Sequence, residues 1–216
     1  MKALLHKYRH AWVYLYAFIY FPWFIYLEKH VTRGYDIIQT AADKKIPFIE
    51  YFIIPYFLWF LFIAGTNLYF FFTNRTEFYR TSAFMIVGMT AFLIISTIYP
   101  NGQALRPRNL SGDGIFIELV RYLYRTDTPT NVFPSIHVYN SIGSYLAIRK
   151  SKRLKESTWV QTGAFILTIL IILSTMFLKQ HSIIDVIGAF VLAVPVYYFI
   201  YVYEPKSADA FKRIPI

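Results

Sequence analysis

No cysteine occurs among the 216 residues, which removes disulfide frameworks, thiolate nucleophiles, Cys-ligated zinc and iron–sulfur clusters. Charge is scarce as well. Asp, Glu, Lys and Arg make up only 16% of the chain, and 12 acidic residues face 22 basic ones, a net charge of +10. Set against 56% hydrophobic and 20% aromatic content, that scarcity excludes an ordinary soluble domain. In a soluble chain the positive excess would point to nucleic acid. In one this apolar it points to loops meeting the anionic leaflet of a bilayer, and no nucleic-acid partner is expected. There is no repeat and no low-complexity segment, and the loops are too short for a second domain. Residues 1–216 therefore read as a single integral membrane domain.

A helix needs roughly 20 apolar residues to cross about 30 Å of hydrocarbon. Six runs qualify: Ala11–Leu27, Ile49–Phe72, Thr81–Tyr99, the short Ser135–Ile148, Thr158–Leu178 and Ser182–Tyr203. The expected fold is all-α, a polytopic bundle of six transmembrane helices, its first run kept as an anchor rather than cleaved. Six crossings put both termini on one side, where thirteen basic residues fall against nine on the other. Five of them crowd the short Arg149–Lys155 turn. The expectation is a multi-pass protein of the cell membrane with both termini cytoplasmic. The long Asn101–Phe133 loop then faces outward. Within it Ile115, Phe116, Leu119, Val120 and Leu123 recur at helical spacing, which predicts a short interfacial helix.

Ionisable groups at membrane depth cost about 2.5–3.5 kcal/mol on insertion scales, so each needs a partner or a purpose. Asp185 has His181 one helical turn earlier, and a carboxylate on one ring nitrogen turns the other into an oriented base or nucleophile. His137 opens the fourth run in Phe133-Pro134-Ser135-Ile136-His137, where a helix N-terminus and the Ser135 hydroxyl suit a phosphate. Arg106-Pro107-Arg108 adds cations whose fork geometry matches phosphoryl oxygens. In the six-crossing topology all three clusters reach one level of the membrane. No metal or other cofactor is expected, because Asp185 is the only acid near the two histidines in sequence and is already engaged. His6 and His10 share a face of a basic N-terminal segment that reads as an interfacial helix, and His30 stands alone in a loop.

The motif Pro134-Ser135-Ile136-His137, followed by Ser174-x6-His181-x3-Asp185 and preceded by Arg106-Pro107, resembles the type 2 phosphatidic acid phosphatase superfamily over residues 99–190. Phe133 to Val138 is similar to the second motif of the branch that holds sphingolipid phosphotransferases. The resemblance implies a six-helix membrane fold and metal-independent phosphoryl transfer, with His181 as nucleophile, Asp185 orienting it and His137 as acid. Arg106 and Ser135 would hold the phosphate of a lipid substrate. Where the family carries a lysine and an arginine this chain has Tyr99 and Thr175, and Lys179 and Arg108 are the expected replacements. The competing reading is a non-enzymatic bundle or transporter that uses the His–Asp pair for ion or proton movement. Oligomeric state leaves no trace in the sequence.

Overall fold

A computed structural model describes residues 6–203. Lys2, Lys206, Lys212 and Arg213, four of the thirteen basic residues counted on the terminal side, lie outside them. A 3₁₀ run, Arg9–Tyr16, leads into α1 (Ala17–His30); α2 (Ile53–Thr73), α3 (Arg75–Ile98), α4 (Ile115–Thr126), α5 (Ile136–Lys150), α6 (Thr158–Phe177) and α7 (Ile183–Tyr197) follow, the last continued by a π turn to Val202. Two two-residue strands, β1 (Asp36–Ile37) and β2 (Asn101–Gly102), pair in parallel between the loops. Among the described residues, four helical segments are long and apolar enough to cross a membrane: Glu50–Thr73, Arg75–Ile98, Thr158–Phe177 and Ile183–Val202.

The first and fourth expected spans are helical but fall short of that standard. The first changes from 3₁₀ to α geometry at Tyr16. The fourth, α5, has 15 residues and is dense in small and polar ones. Its position explains its composition. α2, α3, α6 and α7 all pack against α5, so Asn140, Ser141, Gly143, Ser144 and Ala147 are buried against protein, where small residues let helices approach closely. The outer helices have the opposite need, and side chains such as Trp159 and Phe18, 89% and 78% exposed, turn outward as lipid-facing groups do.

Close approach is tightest where α3 meets α5. Phe84 and Tyr139 stack at 4.6 Å, and the Tyr139 hydroxyl donates to the Phe84 carbonyl at 2.9 Å. A Cβ on Gly88 would lie 1.9 Å from the Tyr139 ring, whereas one on Gly163 would meet nothing within 4 Å. Gly88→Ala is therefore expected to destabilise the bundle by about 1–3 kcal/mol through overpacking. Gly163→Ala should stabilise its helix by up to about 1 kcal/mol. Opposite shifts of the thermal midpoint in detergent would bear this out, and like shifts would not.

α2 and α3 join through Asn74 alone, which closes one helix and caps the next by accepting from the Glu77 amide at 3.1 Å. Glu77 reaches across to the α5–α6 turn, accepting from the Ser151 hydroxyl and the Lys152 amide. The ends of α1, α3 and α6 and the starts of α2, α5 and α7 gather at the other end of the bundle. There α4 lies as a lid on Ile53, Tyr56 and Leu178. Its buried stripe is Ile117, Val120 and Leu123; Ile115, expected on that face, is 70% exposed because it sits one residue inside the helix start and faces away.

His10 departs from the interfacial reading of the N-terminal segment. It is buried among Phe71, Phe78 and Tyr8, with Nε2 2.9 Å from the Phe71 carbonyl oxygen.

Candidate active site

The turn between α6 and α7 aims the first histidine. Lys179 takes the left-handed conformation (φ 54°), and the amides of Gln180 and His181 both donate to the Thr175 carbonyl, closing the helix end. Ser182 then caps α7 in a capping box with Asp185, whose Oδ2 accepts from the Ser182 amide at 2.8 Å. The same oxygen lies 3.4 Å from His181 Nδ1. One carboxylate thus starts the helix and orients the imidazole. A proton on Nδ1 facing Asp185 leaves the Nε2 lone pair directed away from it.

Ser135 caps α5, and its own amide donates to the Asp185 carbonyl at 3.2 Å. That bond ties the start of α5 to the first turn of α7 and sets the ring centroids of His137 and His181 5.6 Å apart. Tyr56 and Trp59 of α2 hold the His137 ring, with centroids at 4.7 and 4.4 Å, and the Trp59 indole donates to the His137 carbonyl. Ser135 itself is fully buried, its hydroxyl engaged with the Val138 amide.

Both histidines line one small polar cavity of about 40 Å³, together with Glu28, Asp127, Thr128, Asn131 and Gln180. Among the described residues no lysine or arginine lines it. Arg106 lies behind the wall: its amino groups donate to the carbonyls of Tyr124, Asp127 and Thr128 and to the Gln180 side chain, and its guanidinium stacks on Tyr124 at 4.6 Å. Burial lowers its pKa, while the nearby Asp127 charge acts the other way. Asp127 is raised by burial against the pull of Arg106.

Lys179 does not reach the cavity. Its ammonium donates to the carbonyls of Asp43, at 2.8 Å, and Ile46, because the left-handed turn that presents His181 points the neighbouring side chain the opposite way. Burial holds that ammonium below the ordinary lysine range. Arg108 is exposed on the loop surface. At the two positions of altered motif residues, Tyr99 caps the end of α3, 42% exposed, and Thr175 is buried with its hydroxyl on the Ile172 carbonyl. The structure therefore brings His137, His181 and Asp185 together, sets Arg106 and Ser135 behind them as framework, and leaves Lys179 and Arg108 away.

Asp185 is also not alone, contrary to the expectation of a single acid. Glu28 ends the first hydrophobic run and accepts from the Asn131 amide at 2.9 Å and the Thr128 hydroxyl; Asp127 accepts from the Tyr56 hydroxyl at 3.0 Å. Glu28 comes from a segment remote in sequence from the motifs, and Asp127 from the loop just before the second. Asp43 is a third surprise. Its carboxylate sits on the start of α7, accepting from the Ile183 amide and the Ser182 hydroxyl at 2.8 Å each. Burial would raise it, but these bonds and those from Thr40 outweigh that and hold it below the usual carboxylate range. Asn101 pins the approach to the second motif by accepting from the Val132 and Phe133 amides at 2.9 Å. The signal for Asn101 was its Asn-Gly pair after Pro100, a turn dipeptide.

Among the described residues no group of three or more His, Cys, Asp or Glu side chains is placed to hold a metal ion. An apolar cavity of about 480 Å³ between α1, α2 and α4, walled by Phe21, Phe57, Phe60 and Tyr122, adjoins the polar one and shares Phe24, Asp127, Ile136 and His137 with it.

In comparison with known proteins, the family model described as PAP2 superfamily matches residues 102–209. No curated protein and no solved structure matches the chain. The matched half includes the second motif at the start of α5, the His–Asp pair at the start of α7 and the turn between them. The chain belongs to the type 2 phosphatidic acid phosphatase (PAP2) superfamily, membrane-spanning phosphatases of lipid metabolism.

Proposed function

We propose that the protein cleaves a lipid phosphate ester by metal-independent phosphoryl transfer through His181, acting at the outer face of the cell membrane as a phosphatase or phosphotransferase. The observation that carries this reading is the adjacency of the two cavities: a polar pocket lined by both imidazoles shares Phe24, Asp127, Ile136 and His137 with an aromatic groove. That shape fits an amphiphile, with its phosphate at the histidines and its chain among Phe21, Phe57 and Phe60.

In the proposed cycle His181 Nε2 attacks phosphorus, the P–O bond to the lipid breaks, and His137 donates the proton that the leaving oxygen takes up. His137 then removes a proton from the acceptor, whose oxygen forms the new P–O bond as the P–N bond breaks. Water gives hydrolysis, and an alcohol gives transfer. The side-chain amide nitrogens of Gln180, which has no partner among the described residues, and of Asn131, which has a second N–H beyond the one on Glu28, line the same pocket and can donate to phosphoryl oxygens. Arg106 acts from behind, fixing Gln180 and the Tyr124–Thr128 segment.

The acidic lining favours a phosphodiester over a dianionic monoester. Glu28 and Asp127 repel a second phosphate charge and suit a phosphodiester whose headgroup is cationic. This supports placing the chain near the sphingolipid phosphotransferase branch.

Six crossings with both termini cytoplasmic fit this reading. The first segment, eight 3₁₀ and fourteen α residues, spans about 37 Å. The short α5 is shielded by its neighbours. α4 would lie in the outer interface.

The test is the purified chain in detergent with phosphate monoesters and zwitterionic phosphodiesters of matched chain length, with and without an alcohol acceptor, in the presence of chelator. Phosphate or a transferred headgroup should appear with chelator present. Activity lost to chelator and restored by a divalent ion would contradict the mechanism. Phe60→Trp, which narrows the groove, should raise KM for long-chain substrate about tenfold and leave a water-soluble phosphate ester unaffected.

A further inference from the structure

About 20 Å from the histidines along α5, at the opposite end of the bundle, lies a second polar cavity. It has a volume of about 300 Å³ and sits where the start of α3, the end of α5 and the π turn after α7 converge. Arg80, Lys150 and Lys152 line it, with Glu77, Thr81 and Tyr201. Among the described residues none of the three cations makes an ion pair. Glu77, the only carboxylate among the described lining residues, is committed to the Ser151 hydroxyl and the Lys152 amide at 2.9 and 2.8 Å. The Tyr201 hydroxyl is buried in the cleft wall with Thr81 beside it.

Among the described residues, three cations against one engaged carboxylate leave two positive charges facing a cleft that also offers hydroxyl donors. Cations that only snorkel to an interface spread over a surface; these converge on a concavity between helices. The ligand that matches the excess is a phosphate monoester, which carries about 1.5–2 negative charges near neutral pH. An arginine fork and flanking ammonium groups are the chemistry that recognises it, and basic clefts between membrane helices hold anionic lipid headgroups in the same way. The start of α3 adds the positive end of its helix dipole.

We propose that this cleft is a second, non-catalytic phosphate site, distinct from the histidine pocket, occupied by the phosphate of an anionic lipid headgroup or by free phosphate. It does not depend on the phosphohistidine reading. The absence of cysteine provides a local probe, since Thr76→Cys at the rim gives one labelling position in the chain.

The full chain carrying T76C with an environment-sensitive fluorophore, in a His181→Ala background so that ligand is not consumed, is titrated with dioctanoyl phosphatidic acid, inorganic phosphate and dioctanoyl phosphatidylcholine. A saturable response to phosphatidic acid or to inorganic phosphate is expected, with the apparent Kd raised at least tenfold by R80Q/K152Q and retained in R80K/K152R. A response to the lipid alone assigns the site to a headgroup; an equal response to inorganic phosphate assigns it to the free ion. The unlabelled chain should show the same ligand-dependent rise in Tm, lost in R80Q/K152Q, with catalytic turnover of the otherwise native chain unchanged by that pair. No saturable response and no Tm rise with either phosphate probe, an equal response to phosphatidylcholine, or binding undiminished in R80Q/K152Q would overturn the proposal.

Discussion

His181→Ala is expected to abolish turnover and the covalent intermediate together, a loss on the order of 10⁴-fold or more. The side chain is dispensable to the fold in a way its neighbours are not. The turn is closed by the His181 backbone amide on Thr175, and α7 is capped by Ser182, Asp185 and Asp43, none of which needs the imidazole. Its ring makes one hydrogen bond, to Asp185. The Tm should therefore stay close to that of the native chain while the rate collapses. A well-folded His181→Ala preparation with near-native turnover would remove the enzyme reading through these motifs and favour the non-enzymatic bundle.

Asp185→Asn is expected to lower the rate by about 10²–10⁴-fold, as loss of the orienting carboxylate does in hydrolytic triads. At the upper end that is about 5.5 kcal/mol of transition-state stabilisation. The capping box makes this a sharp test, because Asp185 Oδ2 serves the Ser182 amide and His181 at once. An asparagine carbonyl can still accept from the Ser182 amide, so the helix start persists, but the negative charge beside the forming imidazolium is gone. Asp185→Ala removes the cap as well and should cost about 1 kcal/mol more in stability. Equal rates for Asp185→Asn and the native chain, at equal Tm, would reduce Asp185 to a helix cap.

Much of the bundle was legible because lipid imposes a simple rule on outward-facing helices, and α2, α3, α6 and α7 obey it. α5 obeys another rule: surrounded by helices, it buries serines and glycines, and its sequence reads as a weak span. His137, His181 and Asp185 were readable because their spacing is local and their helix starts are marked by Ser135 and Ser182. The rest of the site was not. Glu28 of α1 and Asp127 and Asn131 of the α4–α5 loop meet in one pocket only through the fold, and Tyr56 of α2 reaches it by its hydrogen bond to Asp127. Lys179 misled for a related reason. Two residues from His181 in sequence, it is sent to the other side by a left-handed backbone, and its charge clamps the Asp43–Ile46 loop onto the turn. Arg106 was found as a residue of the site, but its donors face carbonyls that no motif could announce.

The most direct measurement is rapid quenching of the native chain with ³²P-labelled lipid substrate under alkaline conditions, followed by peptide mapping. Label that survives alkali, is lost in acid and maps to His181 within the first turnover is the expected result. Turnover with no label on the protein, or label on a residue other than His181, would contradict a phosphohistidine mechanism.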